Sequence, residues 1–370
     1  MKIAILHQDL FFQGGQKVAA KLANGLAERG HSVDVVVSKV HEDILKSSPE
    51  TKPFKLLEQV GLHVLPNRRS VHNVFALARL LMRLKPDVIV PNVGHYNACA
   101  VAAKLLTRQK IPIVYVEHCD VGREPPSRAT MGFLLRRWIL SRDAMIVAVC
   151  NRMRLGLVRR YGLPDHKVRC VYNPIFDDGQ VAGGARCLHP RLVGDKPYTV
   201  VAAGALHKLK NFELVIDAFA RFHEKVKDSQ LLIFGRGPME GELNRKISGY
   251  NLQGRVVLAG FTEYLWDNLK NADLFVSGSN LETFGIVIVE ALDAGCSVIA
   301  ADCPIGPGEI LQNGKLGQLV PMNDAESMSN AMMRAYLGQY KPTAAFERHE
   351  YELSYVLDQY EKLLREVTGK

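Results

Sequence analysis

Short apolar runs rich in β-branched residues alternate with helix-period segments along the whole chain. Residues 3–6, 33–37, 87–91, 113–116 and 144–149 have the length and composition of buried strands. Between the first two, Val18, Leu22 and Leu26 recur at helical spacing, and Gly30 supplies a helix stop. Strand, helix, strand repeated in this way predicts a parallel sheet covered on both faces. After residues 168–172 the rhythm pauses in a stretch rich in Gly and Pro, of which 179–197 reads as a linker. A second series follows: a strand over 198–203, a helix carrying Leu214, Val215, Ala218, Phe219 and Phe222, then strands over 231–234, 256–258, 274–276 and 297–300. A last helix, from about 345 to 366, has Leu353, Val356, Leu357, Tyr360 and Leu364 on one stripe. The expected architecture is α/β: two doubly wound, Rossmann-like domains, 1–178 and 198–344, facing across a cleft, with 345–370 packing back on the first. In such sheets ligands sit beyond the carboxyl ends of the strands.

Composition narrows the class. A chain of 370 residues suits two domains, and 47% hydrophobic with 23% charged residues is a globular composition. No apolar run approaches a membrane span. The N-terminus turns polar at His7-Gln8-Asp9, as a first buried strand does and a signal peptide does not. Cys99, Cys119, Cys150, Cys170, Cys187, Cys296 and Cys303 are scattered, odd in number and without a C-x-x-C pair. A disulfide framework and a structural zinc site are therefore not expected, and the cytoplasm is the expected compartment.

Charge adds a direction. Residues 1–178 hold 27 basic and 15 acidic side chains, and residues 179–370 hold 20 and 23. A basic half joined to a slightly acidic one implies an anionic partner for the first domain. Residues 123–169 carry eleven Arg or Lys and three acidic residues. Here Met131, Leu134, Leu135, Trp138 and Ile139 form a helical stripe, with Arg136 and Arg137 facing elsewhere. Such a helix suits an anionic membrane surface or the border of a lipid-diphosphate site. It equally suits a sheet-covering helix with a solvated basic face. No aromatic-basic platform or helix-turn-helix pattern accompanies the charge, so nucleic acid is not the expected partner.

Four segments carry candidate chemistry. Gly14-Gly15, between the first strand and its helix, could let backbone amides approach an anion, or could serve a tight turn. Gly235-Arg236-Gly237-Pro238, with Gly241, follows a strand and opens a helix, yet its spacing is not a dinucleotide fingerprint, and no P-loop occurs. Glu117-His118 closes a strand, where ligand-binding groups collect. In Glu282-Thr283-Phe284-Gly285 and the following helix, Glu290 lies between Val289 and Ala291. A carboxylate so placed is costly unless it is hydrogen-bonded, by a ligand's hydroxyls or by a neighbouring Arg. No D-x-D pair and no His cluster of metal spacing occur, so neither a metal nor a cofactor is expected.

These residues together resemble the retaining GT-B glycosyltransferases of glycosyltransferase family 4. The resemblance rests on Gly14-Gly15, Glu117-His118, Asn173-Pro174 and Gly204-x-Leu206-x-x-x-Lys210-Asn211. It also rests on Gly235-x-Gly237-Pro238 and the E-x7-E segment Glu282 to Glu290. It implies a nucleotide diphosphate sugar donor, a lipid-linked or polysaccharide acceptor of anionic character, and a place in the cytoplasm or on the inner face of its membrane. By the same resemblance Glu282 would hold a donor-sugar hydroxyl, Glu290 the ribose, Lys210 the diphosphate and His118 the sugar near the reacting centre. The amides of Gly14, Gly15, Phe284 and Gly285 would assist, with Gly235, and the loop of Gly260 and Phe261 would carry the base. Two positions depart from the family: Ala205 stands where Arg is usual, so that one diphosphate contact is missing or is supplied by His207 or Lys208, and Gly308 replaces a charge found in some relatives. Ala205 is the one argument for a protein of this fold that binds nucleotide sugars or anionic glycans without turnover. A nicotinamide oxidoreductase would need a glycine fingerprint that is missing.

Overall fold

The computed structural model describes residues 1–10, 14–40, 56–67, 70–92, 94–118, 131–142, 144–178 and 188–370. The chain divides into two compact units, 1–178 with 349–370 and 179–348.

In the first unit the strands are β1 (Lys2–Leu10), β2 (Ser32–Val40), β3 (Gly61–Val64), β4 (Val88–Pro91), β5 (Ile113–Glu117), β6 (Ala144–Ala148) and β7 (Val168–Cys170). They form one parallel sheet in the order β3-β2-β1-β4-β5-β6-β7. The helices are α1 (Gly14–Glu28), α2 (Val74–Leu84), α3 (Gly94–Thr107), α4 (Met131–Ser141) and α5 (Asn151–Tyr161). Ile3, Ile5, Leu6, Leu22, Leu26, Leu77 and Leu81 are fully buried, as a sheet covered on both faces requires.

The second unit holds β8 (Tyr198–Ala203), β9 (Ser229–Phe234), β10 (Val256–Gly260), β11 (Leu274–Ser277), β12 (Ser297–Ala301) and β13 (Gln318–Val320). Their parallel order is β10-β9-β8-β11-β12-β13, so the winding of the first sheet is repeated. Its helices are α6 (Phe212–Lys225), α7 (Glu240–Gly249), α8 (Leu265–Lys270), α9 (Ile286–Asp293), α10 (Gly306–Ile310) and α11 (Ala325–Tyr336). Leu214, Val215, Ala218, Phe219 and Phe222 on α6 enter a core with Leu231, Ile233, Leu274 and Met328. Both sheets reverse their strand order once, at β1/β4 and at β8/β11. Crevices for ligands open at such points.

Four details differ from the sequence expectation. Strands β3 and β13 are additional. Residues 190–197, at the end of the expected linker, are built into the second unit: Leu192 is 3% exposed, and Arg191 donates to the Gly254 carbonyl at 2.6 Å. The last helix, α12 (Leu353–Thr368), begins about eight residues later than expected, at the first residue of its apolar stripe, although it lies with the first unit as expected. Arg29 there donates to Asp358 at 2.6 Å and His31 meets Glu361 at 2.7 Å. On α4, finally, Arg136 does not face outward; it reaches Glu117 at 2.7 Å, while Leu134, Leu135 and Trp138 are exposed.

Candidate functional site

Two loops meet at the β8/β11 switch point. The loop after β8 passes Gly204 and a single 3-10 turn, Lys208–Lys210, and ends at Asn211, whose left-handed φ of 48° starts α6. The loop after β11 passes Gly278 and Asn280 toward Glu282. The Asn280 N–H donates to the Leu209 carbonyl at 2.9 Å, and the amides of Asn211 and Asn280 meet at 3.3 Å. This clamp brings the Lys210 ammonium and the Glu282 carboxylate into an ion pair, with 29% and 18% of their side chains exposed. Lys208, at the start of the same turn, is exposed, and so is His207.

The neighbouring strand ends are stitched to the same loop. Gly204 N–H donates to Phe234 at 2.9 Å, Leu206 N–H to Arg236 at 3.0 Å, and Gly235 N–H to Gly260 at 2.8 Å. The contact leaves no room for side chains: a Cβ on Gly235, whose φ is 141°, would lie 1.9 Å from the Gly204 oxygen. One on Gly237 would lie 2.6 Å from that of Leu206. Pro238 sits in the turn before α7 rather than within it. A cavity of about 450 Å³ opens beside these glycines, with Arg236, Ile247 and Leu258 also on its walls; neither Lys210 nor Glu282 lines it. Phe261, just past Gly260, is 45% exposed.

On the other flank, Gly285 takes φ 109° and caps α9. The Glu282 carbonyl accepts from Gly306 N–H at 2.8 Å. Phe284 is 3% exposed, and Glu290 is half-buried between Val289 and Ala291, both fully buried. Burial, with the Glu282 charge nearby, pushes the Cys303 thiol up to about 11, so this cysteine stays a neutral thiol. Among the described residues no group of three His, Cys, Asp or Glu could hold a metal ion.

Three expected residues lie in the first unit. Gly14 and Gly15 open α1, and a Cβ on Gly15 would meet nothing within 4 Å among the described residues, so their packing does not explain the glycine. His118 follows β5. Burial, and then His7 beside it, pulls its imidazole down to about 4 and keeps it neutral near pH 7. Glu117 is 1% exposed, and Asn97 donates to it at 2.8 Å opposite Arg136. Its carboxyl is pushed up by burial, against the pull of Arg136 and the hydrogen bonds. The motifs gave no place to Asn97, Arg136 or Asn280, although an Asn just inside a helix start and another past a strand end are visible signals.

Two family models match the chain: Glycosyltransferase Family 4 over residues 12–178 and Glycosyl transferases group 1 over residues 190–351. The chain is 32% identical over 178 residues to an exopolysaccharide phosphotransferase of Streptomyces coelicolor, covering 46% of this chain and 19% of that protein. It is 30% identical over 172 residues to an N-acetylgalactosamine-N,N'-diacetylbacillosaminyl-diphospho-undecaprenol 4-alpha-N-acetylgalactosaminyltransferase of Campylobacter jejuni, covering 46% and 45%. It thus spans less than half the length of either relative. The crystal structure of Anabaena HepE in complex with UDP shares the fold, with a TM-score of 0.79 at 19% identity, over 99% of this chain and 100% of that one.

Proposed function

The chain belongs to the GT-B glycosyltransferases made of a family 4 amino-terminal and a group 1 carboxy-terminal domain, and we propose that it transfers a sugar from a nucleotide diphosphate sugar to a hydroxyl of a lipid-linked or polysaccharide acceptor, with retention of configuration and without a metal. The observation that carries this reading is the Lys210–Glu282 pair at the β8/β11 switch point. A cation and a carboxylate held together there match the two ends of a sugar diphosphate. Lys210 neutralises charge building on the leaving diphosphate, and Glu282 accepts a hydrogen bond from a sugar hydroxyl. Each therefore exchanges its partner for the substrate. Lys208, the amides at Phe284–Gly285 and those at Gly14–Gly15 share the diphosphate, Glu290 takes the ribose, and the Gly235 and Gly260–Phe261 loops take the base. The bond from the anomeric carbon to the diphosphate breaks while the acceptor oxygen bonds on the same face. The acceptor proton passes to a diphosphate oxygen, with His118 against the sugar as a neutral group.

The names of the relatives support an acceptor in polysaccharide or lipid-linked glycan assembly, and the UDP complex makes UDP the first nucleotide to try. Contact with an anionic membrane through α4 is part of the reading. Thermal shifts with UDP, GDP, ADP and dTDP, followed by transfer of labelled sugar to a membrane extract, test it. Stabilisation by one nucleotide together with label transfer is expected. Nucleotide binding without transfer to any extract would favour the non-catalytic reading that Ala205 suggests.

A further inference from the structure

At the carboxyl ends of β4 and β5 in the first unit, beside the β1/β4 switch point, three buried polar atoms have no hydrogen-bond partner among the described residues. They are Nδ2 of Asn92, Oδ1 of Asn97 and Nε2 of His118. Asn92 and Asn97 are 1% and 2% exposed. Buried polar groups are nearly always paired, so each orphan asks for an occupant, and three at one end of a sheet ask for a shared one.

The chemistry of that occupant follows from how the orphans are held. Asn92 directly follows β4, and its backbone N–H is tied to the Leu6 carbonyl at 2.9 Å. Asn97 lies in the first turn of α3. Its Nδ2 donates to Glu117 at 2.8 Å, and Arg136 holds the other Glu117 oxygen at 2.7 Å. A carboxylate can only accept, so the Asn97 amide cannot flip, and Oδ1 is the atom left over. The rim therefore offers a fixed acceptor, a donor amide and an imidazole nitrogen. A phosphate has no hydrogen to give Asn97 and would lie close to Glu117. A hydroxyl both donates and accepts, so hydroxyls suit the acceptor of Asn97 and the donor of Asn92 alike.

We propose that Asn92 and Asn97 form a subsite of the first unit that binds the hydroxyls of a sugar ring, with Glu117 and Arg136 as positioning residues for Asn97. The proposal rests on the glycosyltransferase reading. It extends that reading to two residues the motifs leave without a role. The ring could belong to the acceptor or to the transferred sugar.

The test uses the full chain labelled with ¹⁵N-asparagine, reading the side-chain amides of Asn92 and Asn97. The probes are methyl glycosides of glucose, galactose, N-acetylglucosamine and N-acetylgalactosamine in the presence of UDP, then UDP-glucose and UDP-N-acetylglucosamine, and inorganic pyrophosphate. A saturable shift with a methyl glycoside identifies an acceptor ring; a shift with a nucleotide sugar beyond that of UDP identifies the donor ring. Asn92→Leu then weakens the same binding by about tenfold or more and raises Tm by about 2–4 °C, because it removes a buried unpaired donor. Asn92→Ser serves, judged on binding alone, if the leucine variant does not fold. The proposal is overturned if no sugar moves either amide, if pyrophosphate moves them instead, or if the Asn92 variant binds as the native chain does. UDP binding, read separately as a thermal shift lost in Lys210→Ala, reports on the donor reading. Its failure leaves a glycoside result standing, and the reverse also holds.

Discussion

Lys210 and Glu282 are joined to each other and only partly open to solvent, with 29% and 18% of their side chains exposed, and their pairing contributes on the order of 1 kcal/mol to stability. Their contribution is to chemistry. Lys210→Ala is expected to lower kcat by about 10²–10³-fold, the usual loss when one group stabilising a leaving charge is removed. Glu282→Gln should cost about 10–100-fold, as a charged acceptor becomes a neutral one. Both variants should melt within a few degrees of the native chain, so turnover and Tm measured together separate a chemical role from a structural one. Glu117 behaves in the opposite way. Being buried, it binds a proton more readily folded than unfolded, because burial outweighs Arg136. Above pH 4.5 the folded state therefore holds more protons than the unfolded one, and the stability this carboxyl contributes is lost as pH rises through its raised value. Glu117→Gln removes that dependence. Its urea midpoint relative to native should climb between pH 4.5 and 7.5, and a pH-independent difference would refute the assignment. Glu282 and Lys210 were candidates through the family resemblance, whereas their mutual pairing was not legible, since it depends on two loops, with the two residues 72 positions apart, meeting at a sheet reversal.

At the scale of elements, the strands with β-branched apolar runs were legible, and their structural bounds differ from the expected ones by only a few residues. β3 and β13 were not: Gly-Leu-His-Val alternates in exposure, and β13 is three residues beginning with Gln318. Both are recruited by neighbours, β2 and β12, rather than by their own pattern. The late start of α12 has a similar cause. Ile175 and Phe176 N–H both donate to the Tyr351 carbonyl, and Leu353 N–H donates to Phe176, so tertiary pairing takes backbone groups a longer helix would use. Glu352 is extended there, with ψ 145°. The glycine loop makes a sharper case, because motif spacing treats Gly235, Gly237 and Gly241 alike while the structure does not. Gly235→Ala combines a positive φ with a 1.9 Å approach to backbone and should cost at least about 3 kcal/mol, seen as a large fall in Tm. Gly237→Ala, 2.6 Å from a carbonyl oxygen, should also destabilise. Gly241 lies inside α7 with nothing within 4 Å of an added Cβ, and alanine there should stabilise by up to about 1 kcal/mol. Equal effects at 235 and 241 would contradict the stitched loops.

At the scale of the whole molecule, the charge asymmetry survives the reassignment of the last helix. With residues 349–370 included, the first unit holds 30 basic and 20 acidic side chains, and the second holds 17 and 18. What composition could not show is where apolar surface joins that charge. On α4 the face turned inward carries Phe133, stacked on Tyr161 at 5.2 Å, with Arg136 and Leu140. The outward face carries Leu134, Leu135 and Trp138, which are 49%, 50% and 40% exposed, and the Arg142 guanidinium lies over the Trp138 ring at 4.5 Å. Leu155 on α5 is exposed as well. A solvated basic face would place arginines outward and leucines inward; here Arg137 and Arg142 are exposed together with the leucines, the arrangement that suits an interface of anionic headgroups over hydrocarbon. No described helix is long and apolar enough to cross a membrane, so any attachment through these helices is to the surface. The chain should therefore sediment with vesicles containing phosphatidylglycerol and not with pure phosphatidylcholine. Binding should weaken steeply with salt, because each basic residue near an anionic surface contributes about 1 kcal/mol of screened attraction. Leu134→Ser with Leu135→Ser should reduce the bound fraction at every salt concentration, since the lost apolar contact is not screened. Arg137→Gln with Arg142→Gln should instead flatten the salt dependence. In a Trp266→Phe background, Trp138 fluorescence should shift to the blue on binding, because the indole leaves water for the headgroup boundary. Sedimentation that ignores lipid charge and both double substitutions would leave α4 as an ordinary sheet-covering helix, without touching the assignment of Lys210 and Glu282.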